Sequence, residues 1–206
     1  MNGDLFSTAE SFDKLPLEDA DVYYVERALP PDQPSALLSH LILDTPWRSE
    51  SIVVWGKRYV QPRLIAWYGD PMSSYKYSGI SLEPMPWTDE LKAVKVTIES
   101  FSGAQFNSVL LNYYRDNKDS MGFHSDDEPE LGIEPTIASL SLGEERVLIL
   151  RHKFNRQRPV VKLPLKSGSV LLMKGQTQRY WQHGIVKERR PCGPRVNLTF
   201  RQIRSS

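Results

Sequence analysis

The feature that most constrains the fold is a series of short, β-rich segments in the chain after Gln105. Turns rich in Gly, Pro and charged residues separate these segments, which is typical of strands joined by short connections. The segments run from Asn107 to Tyr114, Thr136 to Leu142, Arg146 to His152, Val160 to Leu163, Ser169 to Met173, Arg179 to His183 and Arg195 to Ile203. Strands at this spacing predict a sandwich or jelly roll, not a doubly wound sheet.

Two helices are predicted before these strands. The segment from Pro34 to Leu43 is amphipathic, with a proline near its first turn and leucines on one face. A second helix is expected from Asp89 to Phe101, capped by Thr88 and ending before Gly103. The expected fold class is therefore mostly β with flanking helices (α+β).

The length and the cysteine content limit the organisation of the chain. With 206 residues, 40% of them hydrophobic, it can bury one substantial core but is short for two independent domains. We expect one compact domain in three parts: a flexible leader over 1–20, an N-terminal helical extension over 21–104 and a jelly-roll core over 105–206. The single cysteine, Cys192, excludes a disulfide framework, and no apolar run has the length of a signal or membrane segment. We therefore expect a cytoplasmic monomer with no membrane contact.

The formal charge of +1 conceals a strong separation of charge along the chain. From Arg146 onward there are 15 Lys and Arg and one acid, which gives +14, whereas the preceding residues carry −13. This asymmetry predicts a C-terminal surface that faces a polyanion, unless the two halves neutralise each other across a shared sheet. The cations expected to meet phosphates are Arg151, Lys153, Arg156, Arg158, Lys187, Arg189 and Arg190. His152 lies among them and is expected to be solvated or phosphate-facing, not a metal ligand.

Three residues are candidate metal ligands. His124 and Asp126 stand at i and i+2, on the same side of an extended segment, and His183 follows 57 residues after Asp126. Two imidazoles and one carboxylate form the facial triad that holds Fe(II) and leaves positions open for a chelating co-substrate and O2. A His-x-Asp pair is common by chance, so this hypothesis needs support from elsewhere in the chain.

That support comes from the last predicted strand, whose polar residues alternate with apolar ones. Arg195, Asn197, Thr199 and Arg201 share one face. If this face were exposed, the segment would be an ordinary half-buried strand. If it faces the inside of a barrel, the two guanidinium groups can hold the two carboxylates of one small molecule.

Four motifs in order carry a resemblance to a known family. They are Asn112-Tyr113-Tyr114, His124-Ser125-Asp126-Asp127-Glu128, the late His183 and Arg195-Val196-Asn197-Leu198-Thr199-Phe200-Arg201. Together they resemble the AlkB family of Fe(II)/2-oxoglutarate-dependent nucleic-acid demethylases, over roughly Ile52 to Ile203 and most closely the double-strand-DNA repair branch. The resemblance implies a double-stranded β-helix, or jelly roll, preceded by a nucleotide-recognition lid within 21–104.

The resemblance also implies roles for the polar residues of the core. The triad of His124, Asp126 and His183 binds Fe(II), with 2-oxoglutarate and O2 as co-substrates. The residues implied at the distal carboxylate of 2-oxoglutarate are Arg195, Asn197 and Tyr114. Those implied near its metal-chelating end are Arg201 and Asn112, and Thr199 is expected in the wall of the cavity.

On the substrate side, the resemblance implies a lid that clamps a flipped base. The lid contacts are Tyr75, Tyr77 and Ser78, because aromatic rings can stack on an unpaired base, although either tyrosine can instead pack into the core. Asp127 and Glu128 are expected near the base edge or a neighbouring lid residue. In the turn Trp55-Gly56-Lys57, Trp55 is expected to enter the duplex as a wedge, with a core anchor as the alternative.

The implied function is repair of 1-methyladenine and 3-methylcytosine in DNA, with release of formaldehyde. The expected partner is duplex DNA with a flipped base, and single-stranded DNA or RNA is the alternative. Two other functions stay open: the same chemistry on RNA or protein, and a non-catalytic jelly-roll module that binds nucleic acid. The expected location is the bacterial cytoplasm or nucleoid, or the nucleus of a eukaryote.

Overall fold

The computed structural model describes residues 12–54, 56–71, 75–77, 80–82 and 84–204, with the backbone alone at 52–54, 75–77 and 80–82. The described helices are Gln33–Asp44 (α1), Asp89–Ser102 (α2) and Thr177–Tyr180 (α3), with a 3-10 turn at Pro129–Leu131. The described strands are Asp13–Lys14 (β1), Asp21–Val25 (β2), Ser51–Val54 (β3), Lys57–Val60 (β4), Leu64–Gly69 (β5), Tyr75–Tyr77 (β6), Ile80–Leu82 (β7), Ser108–Tyr114 (β8), Met121–His124 (β9), Ile137–Gly143 (β10), Arg146–His152 (β11), Val161–Leu165 (β12), Val170–Lys174 (β13), Trp181–Ile185 (β14) and Arg195–Arg201 (β15). Within these ranges no helix is long and apolar enough to cross a membrane.

The larger sheet has seven strands in the order β1-β2-β13-β10-β15-β8-β5, all paired antiparallel. In its centre Arg195 on β15 lies opposite Tyr114 on β8, and Asn197 lies opposite Asn112. Directly opposed residues of an antiparallel pair place their side chains on the same face. The register therefore gathers the predicted co-substrate residues on one face of this sheet.

The smaller sheet has four strands in the order β12-β11-β14-β9, also antiparallel. His124 on β9 lies opposite His183 on β14. Apolar residues of both sheets, among them Leu148 and Leu171, pack into one buried cluster between them. Two antiparallel sheets around a shared core confirm the predicted jelly roll.

A second buried cluster lies on the other face of the larger sheet, where the helices pack. Leu41 of α1 and Ile98 of α2 join Leu198 and Phe200 of β15 in this cluster. Strand β15 is therefore covered on both faces, by helices on its apolar side and by the space between the sheets on its polar side. Its polar row does not face solvent, which excludes the ordinary half-buried strand.

The helix ends follow from local chemistry, as the sequence predicts. The hydroxyl of Thr88 accepts a hydrogen bond from Leu91 N at 3.2 Å and so caps the start of α2. Gly103 ends this helix with φ of 67°, a left-handed conformation that glycine adopts without strain. Both helices extend at most one residue beyond their predicted ends at either terminus.

Three features differ from the sequence expectation. The described part of the 1–20 leader, residues 12–20, is ordered: β1 pairs with β2, and Trp181 Nε1 donates to Glu18 O at 3.0 Å. The larger sheet crosses the expected boundary at residue 105, because β2 and β5 belong to it. The segment predicted as a strand from Arg179 begins instead within α3, and the strand starts at Trp181.

Candidate active site

The three predicted metal ligands meet at one end of the space between the sheets. The potential ligand atoms of His124, Asp126 and His183 all lie within 4.8 Å of one another. The nearest nitrogen of each histidine is 3.9 Å from an oxygen of Asp126, and the two imidazole centroids are 4.4 Å apart. The pairing of β9 with β14 produces this arrangement, because it sets the two histidines side by side and brings Asp126 in just beyond the strand end.

The protonation state of the triad suits metal binding. Burial lowers the pKa of His183 to about 3, with His124 adding to the effect, so this imidazole is neutral at pH 7. Burial would raise the pKa of Asp126, but Arg201 and then the two imidazoles outweigh it, and the pKa falls to about 2. His124 Nδ1 lies 2.9 Å from Gly122 O, which can only accept, so Nδ1 is the donor of this contact and Nε2 is the nitrogen that faces Asp126. The site therefore combines a carboxylate, a neutral imidazole at His183 and the oriented Nε2 of His124.

A narrow cavity continues from the triad between the sheets. The predicted co-substrate residues all line it, together with the triad: Asn112, Tyr114, Arg195, Asn197, Thr199 and Arg201. Apolar side chains such as Leu171 and Ile185 form the rest of the wall. The structure thus gathers in one cavity every residue for which the sequence predicts a metal or co-substrate role.

Arg195 is a buried charge at the far end of this cavity. It is 1% exposed, and its Nη2 donates to Ser141 Oγ at 2.9 Å. Its Nε and Nη1 are buried and have no hydrogen-bond partner among the described residues. Burial lowers the pKa of Arg195, but a guanidinium remains charged at neutral pH. The guanidinium also lies 5.1 Å from the centroid of the Tyr114 ring, but no described carboxylate pairs with it, so its position favours the binding of an anion.

Arg201 lies at the opposite end, beside the triad. Its Nη2 donates to Asp126 Oδ1 at 2.6 Å, while Asp126 Oδ2 is buried without a hydrogen-bond partner in the described part of the chain. A cation bound by the triad would satisfy this oxygen, and a carboxylate at Arg195 would satisfy that guanidinium. The donor set therefore fits Fe(II) at one end of the cavity and the distal carboxylate of 2-oxoglutarate at the other.

A larger groove of about 300 Å³ opens above the triad. His124, Asp126 and Arg201 line both the cavity and the groove, so a molecule in the groove would lie against the metal site. Gln61 and Glu128 contribute polar groups to its wall, whereas Leu110, Phe123, Leu131 and Ile203 make much of it apolar. A flat, partly polar molecule such as a nucleobase suits this lining.

The predicted substrate contacts fall into three groups. Trp55 and Ser78 lie outside the described residues, and for Tyr75 and Tyr77 only the backbone is described, in strand β6 of the β6–β7 hairpin. Gly56 turns the β3–β4 hairpin with φ of 74°, and Lys57 is exposed beside it. Glu128 lines the groove, whereas Asp127 is exposed and pairs with Lys153 Nζ at 2.9 Å.

The predicted phosphate contacts are only partly available. Lys153 pairs with Asp127, and Arg158 pairs with Glu18 at 2.6 Å and Asp19 at 3.0 Å. Arg156, Lys187, Arg189 and Arg190 are exposed, with no ion pair to the described residues. The expectation that His152 is solvated is wrong. Its side chain is 5% exposed, since its ring packs against Tyr180 and Trp181, and its Nδ1 accepts from the backbone N of Phe154 and of Asn155.

Several residues of the site were not predicted. Asn197 Nδ2 donates to Ser139 Oγ at 2.7 Å, and Arg63 Nε donates to Asn112 Oδ1 at 2.7 Å. Gln178 Oε1 accepts from Asp126 N at 2.9 Å and so fixes the backbone of a metal ligand. The alternation of the predicted strand containing Ser139 could have placed it on the cavity face, but Arg63 and Gln178 carry no comparable local signal.

A jelly roll that holds two histidines and one aspartate at the mouth of an arginine-ended cavity defines a class of protein, the mononuclear non-haem iron oxygenases. Comparisons with known proteins agree. Residues 21–201 match the 2OG-Fe(II) oxygenase superfamily. Among solved structures, one titled "The structure of OsALKBH1" has a TM-score of 0.61 at 17% identity and covers 93% of this chain and 99% of its own, a likeness of fold alone.

Curated relatives narrow the class to a family. Alpha-ketoglutarate-dependent dioxygenase alkB homolog 3 of Mus musculus is 45% identical over 81% of this chain and 60% of its own length. DNA oxidative demethylase ALKBH2 is 40% identical in Homo sapiens, over 74% of this chain and 60% of that protein. ALKBH2 of Arabidopsis thaliana is 34% identical over 89% of this chain and 67% of that protein. This chain belongs to the AlkB family, and it spans about three fifths of the length of the first two relatives.

Proposed function

We propose that this protein is an iron(II)- and 2-oxoglutarate-dependent demethylase of alkylated bases in nucleic acid. The observation that carries the proposal is the pair of spaces that share His124 and Asp126 of the triad: a cavity ending in the buried Arg195 and a groove of about 300 Å³. The relatives named as a dioxygenase and as a DNA oxidative demethylase support it. A non-catalytic module would have no need for a buried guanidinium without a carboxylate partner.

In this proposal the two ends of the cavity orient the co-substrate. Arg195 binds the distal carboxylate, with Tyr114 and Asn197 beside it, and Arg201 lies near the chelating end, where it also fixes Asp126. When bound, iron(II) with 2-oxoglutarate supplies a two-electron oxidation by O2 that inserts oxygen into a C–H bond and yields succinate and CO2. The leucine, isoleucine and methionine side chains of the cavity wall exclude water from that reaction.

The substrates we propose are 1-methyladenine and 3-methylcytosine. Their methyl groups block Watson–Crick pairing, so the bases leave the stack at lower cost than normal bases. The groove holds such a base with its N-methyl group towards the triad. Hydroxylation of the methyl group gives an N-hydroxymethyl base, which loses formaldehyde and returns the unmodified base.

We further propose that the substrate is duplex DNA from which the damaged base is flipped. The β3–β4 hairpin, in which the exposed Lys57 begins the second strand, and the exposed cations near β11 and β14 support this partner. A monomer acting in the cytoplasm or nucleoid, or in a eukaryotic nucleus, accords with such a substrate. Single-stranded DNA and RNA are the alternatives.

Turnover on matched substrates tests the proposal. Formaldehyde release is compared for one sequence carrying 3-methylcytosine as duplex DNA, single-stranded DNA and RNA, and for a methylated peptide. We expect release from nucleic acid, fastest from the duplex, and none from the peptide. Faster turnover of single strands or RNA would overturn the duplex assignment alone, and peptide turnover without nucleic-acid turnover would overturn the substrate class.

A further inference from the structure

Besides the oxygen of the metal ligand Asp126, the groove above the triad contains two buried oxygen atoms that lack a hydrogen-bond partner among the described residues. Gln61 Oε1 and Glu128 Oε2 are buried, and neither has a hydrogen-bond partner among the described residues. Both residues line the groove, and Gln61 as a whole is 4% exposed. Buried acceptors are nearly always satisfied in folded proteins. Two unsatisfied acceptors beside a metal site therefore indicate a ligand that donates hydrogen bonds.

The backbone around Gln61 is held rigidly, so its side chain has a fixed origin. Gln61 N donates to Glu50 O at 2.8 Å, and Gln61 O accepts from Arg63 N at 2.9 Å. The intervening Pro62 O accepts from Ser120 N at 2.8 Å. The amide of Gln61 therefore projects into the groove from an anchored segment and can set the position of a ligand edge.

The neighbouring Arg63 cannot replace Gln61 as a hydrogen-bond acceptor. Arg63 also lines the groove, but its Nε donates to Asn112 Oδ1 in the co-substrate cavity at 2.7 Å. Arg63 offers only donors in any case. Among the described polar residues of the groove wall, the metal ligand Asp126 set aside, Gln61 and Glu128 are the ones with buried oxygen atoms that lack a hydrogen-bond donor.

We propose that Gln61 is a specificity-determining residue, which accepts a hydrogen bond from the exocyclic amino group of the alkylated base. This inference rests on the proposed function and deepens it. Adenine and cytosine carry an amino group on the edge that the methyl group blocks, whereas hypoxanthine and uracil carry a carbonyl oxygen at the same position. An amino group satisfies Gln61 Oε1, and a carbonyl oxygen would face it as a second acceptor. Glu128 accepts beside it.

The chemistry of the amide predicts the direction of two substitutions. A glutamine can rotate its amide and present its NH2 group to a carbonyl. The wild-type protein therefore discriminates only in part between bases with an amino group and bases with a carbonyl oxygen. Gln61→Leu removes the acceptor and reduces discrimination. Gln61→Glu supplies an acceptor that cannot donate when ionised, and so increases discrimination.

The test uses one oligonucleotide sequence carrying either 3-methylcytosine or 3-methyluracil, which differ at the exocyclic position. The readout is the ratio of kcat/KM for formaldehyde release from the two substrates. We expect Gln61→Leu to lower kcat/KM on 3-methylcytosine about tenfold, the effect of one lost buried hydrogen bond, and on 3-methyluracil less than about threefold. We expect Gln61→Glu to raise the ratio above that of the wild-type protein.

Controls separate specificity from structure. Gln105→Leu, at an exposed glutamine in the loop before β8, should leave the ratio unchanged. A purely structural effect lowers kcat/KM for both substrates by the same factor. An unchanged ratio of kcat/KM in both Gln61 variants therefore overturns the proposal. If Gln61→Leu does not fold, Gln61→Glu alone tests the proposal, and the ratio of kcat/KM is then expected to rise instead of fall. If wild-type protein releases no formaldehyde from either substrate, the proposed function itself fails.

Discussion

Arg195 is the residue whose burial is hardest to explain without a ligand. It is 1% exposed, and its pKa is lowered by burial with no carboxylate among the causes. Replacing an uncompensated buried charge with an apolar side chain of similar volume tends to be neutral or stabilising. The hydrogen bond to Ser141 and the contact with the Tyr114 ring offset part of the cost of burying this arginine, and a bound anion would offset more of it.

Arg195→Met tests this directly. We expect the dissociation constant for 2-oxoglutarate to rise by about 10- to 100-fold, because hydrogen bonds to charged groups contribute about 1.5–3 kcal/mol each. The metal-free variant should be at least as stable as the wild-type protein in thermal unfolding, and 2-oxoglutarate should no longer raise its Tm. Arg195→Lys keeps the charge but loses the planar guanidinium that can bind a carboxylate through two hydrogen bonds. Its dissociation constant for 2-oxoglutarate should lie between those of the wild-type protein and the Met variant. Unchanged 2-oxoglutarate binding in the Met variant would contradict the assignment.

His183 makes the stability of the metal-free protein depend on pH. Its pKa is about 3 in the folded protein against an ordinary value of 6.5, so the unfolded chain binds more protons between these values. The free energy of unfolding should therefore fall as the pH decreases from about 6.5, by up to about 1.4 kcal/mol per pH unit. Asp126, with its pKa lowered from 3.8 to about 2, adds a further loss below about pH 4.

Urea unfolding of the metal-free protein between pH 7.5 and 4.5 measures this dependence. In His183→Asn the slope should be smaller by about one proton, since asparagine does not titrate. The same slope in both proteins would show that His183 is not the group responsible.

At the scale of elements, the connection from β10 to β11 controls the position of Arg195. Gly143 has φ of 88°, and a Cβ there would clash with Pro194 O and lie 3.3 Å from Arg195 Cα. Glu144 N also donates to Pro194 O at 2.9 Å. Any movement that relieves such a contact shifts the start of β15, and the co-substrate arginine with it.

Gly143→Ala should therefore lower both stability and co-substrate affinity. We expect a loss of about 2 kcal/mol or more in the free energy of unfolding, from left-handed strain combined with the clash. Gly103→Ala is the matched control, because Gly103 also has positive φ but has no atom within 4 Å of an added Cβ. That control should cost about 1 kcal/mol and leave 2-oxoglutarate binding unchanged. Equal effects in the two variants would argue against the role given to the contact at Pro194.

The elements also show what the sequence could and could not predict. The period of two placed Arg195, Asn197 and Thr199 on one face of β15, and the structure has them on the face between the sheets. Arg63 was not foreseen because its contact with Asn112 joins residues 49 apart, which no local pattern encodes. Strands β2 and β5 were missed for a similar reason: their partners, β13 and β8, lie far along the chain.

At the scale of the whole molecule, the separated charges are partly neutralised by contact between the two halves. Arg158 pairs with Glu18 and Asp19, and Lys166 pairs with Glu26. Some cations of the C-terminal half are therefore neutralised by the N-terminal half, whereas others remain available to a polyanion. Those near the strand ends that remain exposed, such as Arg189 and Arg190, are the ones expected to bind phosphates.

The salt dependence of DNA binding separates these two groups of cations. For duplex DNA the logarithm of the binding constant falls with the logarithm of salt concentration by about 0.9 for each phosphate contact. Replacing Arg189 and Arg190 together by Ala should reduce this slope by about 1.8. Arg158→Ala, at an arginine already paired with two acids, should change it by less than half as much. The reverse order would contradict the surface proposed here.

The central claim is that one triad serves both the co-substrate cavity and the base groove. The decarboxylation of 2-oxoglutarate is therefore coupled to the hydroxylation of the methylated base. The most direct test incubates the iron(II)-loaded protein with 2-oxoglutarate, O2 and DNA carrying 3-methylcytosine, and measures succinate and formaldehyde together. We expect the two products in nearly equal amounts, and neither from a folded Asp126→Ala variant. Succinate without formaldehyde, or neither product from a folded, iron-loaded wild-type protein, would contradict the claim.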